Sequence, residues 1–107
     1  MSSQKNKKEH FAVIGIPWYS ERSWNKMKDI SEDQDNFHAS YQIWLAHADK
    51  SVVILTNRGK LFERLKIDPT SYSWWCKNQS IPRDKESRRL YIKYLLENKI
   101  SQQEAID

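Results

Sequence analysis

The sequence predicts a small α/β domain of order β-α-α-β-α-α, with a two-stranded sheet and about four helices, and three observations carry that expectation. Phe11 to Ile16 is a short continuous apolar run, the character of a strand covered on both faces. Several longer segments repeat their apolar residues at helical spacing. With two glycines and three prolines in 107 residues, the chain lacks the turn punctuation of an all-β fold.

Residues 1–9 hold no large apolar side chain beyond Met1 and are expected to be a flexible basic tail, followed by one domain over 10–98 and a C-terminal tail over 99–107. Pro17 should end the first strand, and Ser20 is placed to cap a helix whose Trp24 and Met27 lie three apart on one side. That helix should stop by Asp33, because the acidic residues there oppose the negative end of the helix dipole.

Two readings compete for the next segment. Tyr41, Trp44, Leu45, Ala48, Val52 and Leu55 recur at helical spacing, so a long helix can run from about Ala39 to Arg58, stop at Gly59, and lead into a second strand over Lys60 to Ile67. Alternatively, the β-branched run Ser51 to Thr56 forms a strand, and Asn57-Arg58-Gly59-Lys60 turns a hairpin over 52–67 in an α+β fold. The helix is preferred because six positions keep its period without interruption, whereas the strand rests on propensity alone. Asp68-Pro69 then supplies a cap and a first-turn proline for a helix with Tyr72, Trp75 and Cys76 on one face, ending near Gln79. After Ile81-Pro82 a last helix from about Asp84 to Asn98 should bury Leu90, Tyr91, Tyr94 and Leu95 and show its Arg and Lys residues to water. A two-stranded sheet is a meagre support for four helices, so its edges should be covered by helices or completed by a second copy in a homodimer.

Composition narrows function by exclusion. The chain is 38% apolar with mean hydropathy −0.88, yet holds five Trp, five Tyr and three Phe, so bulky aromatics must fill much of the core. No run is long enough for a membrane span, Met1 to His10 is polar and basic, and a cytoplasmic location is expected. The lone Cys76 cannot form an intramolecular disulfide, and its inward position marks it as a small buried hydrophobe rather than a nucleophile. His10, His38 and His47 form no metal-ligand spacing, and two glycines cannot build a phosphate loop or a dinucleotide fingerprint, so neither metal nor cofactor is implied. No catalytic set is readable, and an enzyme is not favoured.

Two places remain for binding. Trp18 and Tyr19 stand at the C-terminal end of the first strand, where open α/β sheets place ligands, and could stack on a base or ring. Between Lys77 and Lys93 six basic residues face two acidic ones, and Arg83, Lys85, Arg88, Arg89 and Lys93 could meet phosphates as the second helix of a helix-turn-helix. Asp29, Glu32, Asp33 and Asp35 form an acidic pole. Charge runs are mostly solvated helix faces, so nucleic-acid binding is kept as the alternative to a non-enzymatic, self-associating interaction protein with a homodimer or another protein as partner.

Ile16-Pro17-Trp18-Tyr19, Trp24, Ser40-Tyr41-Gln42-Ile43-Trp44-Leu45, Gly59, Ile67-Asp68-Pro69 and Trp75-Cys76 follow one another in an order that resembles a group of small uncharacterised bacterial proteins with the pattern IPWY…W…TYxxWL…G…IDPxxFxxWC and an arginine-bearing last helix. The match runs from about Phe11 to Arg89. The group is similar in placing a glycine where the long helix would end, which supports the helical reading at Gly59. Tyr72 stands for the usual Phe, and Ser80 replaces the linker glycine before the last helix, so the turn there is expected to differ. The resemblance implies no activity.

Overall fold

Short-range chemistry sets most element boundaries. The structure, a computed structural model, describes residues 13–106, with side chains through Lys99. The expected tail over 1–9 and the Phe11-Ala12 part of the first strand lie outside the described residues. Within them the order is β1 (Ile14–Trp18), α1 (Glu21–Ile30), a 3-10 turn (Gln34–Asn36), α2 (Tyr41–Asn57), β2 (Phe62–Lys66), α3 (Pro69–Gln79) and α4 (Lys85–Ile106). The fold is the small α/β domain expected, with β1 and β2 parallel and Ile14 opposite Phe62.

The contested segment is helical, and the hairpin over 52–67 does not form. Ser40 Oγ accepts from the Ile43 amide at the start of α2. At its end Gly59 takes φ +66°, the Gly59 amide donates to the Thr56 carbonyl and the Lys60 amide to that of Leu55. This pair of bonds is a Schellman stop, which needs a left-handed residue where glycine sits. Val52 to Leu55 thus stay helical despite their branching, because the Trp44, Ala48, Val52 and Leu55 stripe is spent on one face. The same stop closes α3, with Ser80 at φ 56° and amides of Ser80 and Ile81 donating to Lys77 and Cys76 carbonyls. The turn is therefore the glycine type, made here by a serine.

Pro17 does not end β1; the strand continues through Trp18. The Ile14 amide donates to the Leu61 carbonyl and the Trp18 carbonyl accepts from the Ile67 amide, so even-numbered positions address β2 and Pro17 turns its missing N–H to the outer edge. Gly15 faces α4: a Cβ there would lie 2.6 Å from Ile92 Cγ2 and 2.9 Å from Leu96 Cδ1. That close approach sets the rotation of α4. Tyr91 is buried and Ile92, Leu95 and Leu96 pack on the core, whereas Tyr94, expected inside, is 44% exposed. No glycine or proline follows Asn98, and α4 runs past its expected end to Ile106.

The core is aromatic, as the composition demands: Tyr19, Trp24, Tyr72 and Tyr91 are buried with Met27, Leu65, Ile67 and Cys76. α4 packs on β1 and α3, and α1 on α2 and α3. Among the described residues no helix is long and apolar enough to cross a membrane.

Candidate functional site

At the end of β1, Trp18 and Tyr19 both meet α2. Their rings lie edge-on to Trp44, with centroids 5.6 and 5.3 Å away, and the Tyr41 hydroxyl donates to the Tyr19 carbonyl at 3.1 Å. The Arg64 guanidinium covers Trp18 at 4.7 Å. Tyr19 is buried, and burial pushes its phenol up to about 12. Beside it lies a niche of about 170 Å³ lined by Tyr19, Trp24, Phe37, His38, Trp44 and Arg88. This is below the roughly 300 Å³ at which ligand pockets begin. Trp18 and Tyr19 serve here as the seal between strand and helix.

The basic residues of the last helix divide into separate roles. Arg88 makes a bidentate pair with Asp33, Nη1 to Oδ1 at 2.8 Å and Nη2 to Oδ2 at 2.7 Å, adds Ser31 Oγ at 3.2 Å, and lies over the Phe37 ring at 4.6 Å. The hydrogen bonds from Arg88 hold the Asp33 carboxyl well below the usual carboxylate range. Arg83 Nε donates to the Ile30 carbonyl at 2.6 Å, while its amide donates to Glu32 Oε2. Arg88, expected in water, instead bolts α4 to the segment that follows α1, and Arg83 ties the α3–α4 connection to the end of α1; Asp33 and Glu32 of the acidic pole accept from the Arg88 guanidinium and the Arg83 amide. Arg89 pairs with Glu86 one turn earlier. Lys85 and Lys93 are exposed and make no ion pair among the described residues. Of the five basic residues that look like one phosphate-binding face in sequence, the Asp33 pair withdraws Arg88 and the Ile30 carbonyl holds Arg83 through Nε, while Lys85, Arg89 and Lys93 stay exposed.

Cys76 is buried beside Tyr72, whose hydroxyl shares a 2.6 Å hydrogen bond with Ser87 Oγ. His38 and His47 stack on each other with centroids 4.6 Å apart, and no hydrogen bond joins a histidine to Cys76 among the described residues. No group of three metal-ligating side chains forms there either.

Sequence reading missed the outward side of α2. It is the most apolar of the four helices, yet Ala48 is its one buried residue. Ile43 and Ile54 share an exposed side, Val53 is 57% exposed beside them, and Leu61, just beyond the helix stop, is 64% exposed next to the start of the sheet, where Ile14 is also exposed. The signal was present: these residues fall outside the Tyr41, Trp44, Ala48, Val52 and Leu55 stripe, which left them with no assigned contact.

No protein-family model, curated protein or solved structure matches this chain.

Proposed function

We propose that this chain is a non-enzymatic cytoplasmic interaction protein that self-associates through the outward side of α2 and the adjoining start of the sheet. The observation that carries the reading is α2 itself. Ile43, Val53 and Ile54 leave apolar side chains uncovered there, interleaved with His47 and Lys50, and the exposed Leu61 and Ile14 continue them toward the sheet. Each strand of the two-stranded sheet has one edge with no strand partner, which a second copy can pair. Nucleic-acid recognition by α4 is the weaker reading, because Arg88 is committed to Asp33 within the chain. Membership of the bacterial group with the IPWY and IDPxxFxxWC pattern is part of the same proposal, supported by structural uses of those residues: Asp68 caps α3, with Oδ2 accepting from the Ser71 amide at 3.3 Å, and Pro69 occupies its first turn.

Light scattering tests the proposal on the purified full chain and on a Val53→Asp, Ile54→Asp variant. The expected result is a dimer mass for the natural sequence and a monomer mass for the variant, with unchanged helical circular dichroism. A natural chain that stays monomeric at the highest workable concentration ends the reading.

A further inference from the structure

Trp74 is the one exposed tryptophan among the described residues, 59% open to solvent, while Trp24 is buried and Trp18, Trp44 and Trp75 are half-buried. Its indole presents aromatic surface to solvent, where a planar group can stack. It stands on α3 above a groove between α1 and α3 of about 440 Å³, with Lys26, Lys77 and Arg83 around it. The groove continues along α1 into a second compartment of about 540 Å³ that shares Lys26, Pro69 and Thr70 and adds Arg22. Lys77 Nζ sits 4.9 Å from the Trp74 ring centroid, so cation and π-face are already adjacent. Arg22, Lys26 and Lys77 make no ion pair among the described residues, and the Arg83 side chain is engaged through Nε alone. In the second compartment Asp29 and Asp68 face Arg22 and Lys26, and the Ser71 hydroxyl at 2.7 Å and the Ser71 amide hold Asp68 ionised, whereas no carboxylate lines the Trp74 compartment.

We propose that this groove binds single-stranded nucleic acid, with a base stacked on Trp74 and the flanking phosphates on Lys77, Lys26 and Arg22. An aromatic platform set in a track of unpaired cations is the recurring design for sequence-tolerant strand binding. The cations are spread over two adjoining compartments. A peptide of acidic residues alone would satisfy the cations and leave the indole exposed, and a duplex offers no unstacked base for it. The site lies on α1 and α3 and is independent of self-association through α2.

Fluorescence anisotropy of a labelled oligodeoxythymidylate with the full chain tests this. Binding should weaken about 20-fold between 50 and 200 mM salt, the effect of about three phosphate contacts on a single strand. Trp74→Ala should weaken it about tenfold or more. Lys26→Glu with Lys77→Glu should abolish it, whereas Arg89→Glu on α4 should leave it unchanged. The Val53→Asp, Ile54→Asp variant should bind with the affinity of the natural chain, which separates this result from the fate of the self-association reading. The proposal is overturned by absence of binding at low salt, by a Trp74→Ala protein that binds as the natural chain does, or by equal competition from thymidine monophosphate or a polyglutamate peptide.

Discussion

Replacing Arg88 by Ala distinguishes a structural arginine from a phosphate ligand. The side chain makes two charge-assisted bonds to Asp33, a third to Ser31 Oγ and a cation–π contact with Phe37. The ion pair keeps 17% and 18% side-chain exposure on its two partners, which places it nearer a buried pair than a surface one. Surface pairs contribute about 0–1 kcal/mol, whereas removing one partner of a buried pair costs about 3–5 kcal/mol. The residual exposure puts the expected loss near the lower limit of the buried range, about 3 kcal/mol, a large share of the roughly 5–15 kcal/mol that holds a domain together. Urea denaturation at neutral pH measures it. With Asp33→Asn and the double variant it forms a cycle whose coupling should be about 1–3 kcal/mol.

The same pair sets an acid limb. The Asp33 carboxyl titrates lower in the folded chain than in the unfolded one, whose value is about 3.9. Its stabilisation is therefore fully present above that unfolded value and is lost as pH falls through it toward the folded value. The natural chain should lose stability below about pH 4 more steeply than Asp33→Asn. An Arg88→Ala protein within about 1 kcal/mol of the natural one, or additive effects of the two substitutions, would refute the reasoning and place the pair in the solvent-screened class.

Two further substitutions test the close contacts of the fold. Gly15→Ala drives a methyl into Ile92 and Leu96 and should cost about 1–3 kcal/mol in urea denaturation; an unchanged midpoint would mean that α4 does not bear on β1 as closely as described. Ser80→Gly should stabilise by about 0.5–1 kcal/mol, because glycine removes the roughly 1–2 kcal/mol cost of a left-handed residue and returns part of it as unfolded-chain entropy; a lower melting temperature would contradict that balance.

What the amino-acid sequence by itself determined here is local. Ser20 accepts from the Ser23 amide, Asp68-Pro69 opens α3 and Gly59 closes α2, and each effect acts within a few residues through hydrogen bonds or backbone sterics. The inward stripe of α2 and the aromatic core were legible for the same reason, since periodicity is a property of neighbouring positions. Only the tertiary structure decided that Arg88 meets Asp33, 55 residues away, and so withdrew it from the candidate phosphate face. A charge has no local preference for its partner; the crossing of α4 over the segment after α1 chooses it. Helical crossing likewise decided that Tyr94 stays exposed while Ile92 and Leu96 close on Gly15, that Pro17 remains in a strand because its N–H side faces the open edge, and that Trp74 stands over the α1–α3 groove. Those outcomes depend on how separate elements meet in space, which no spacing along the chain encodes.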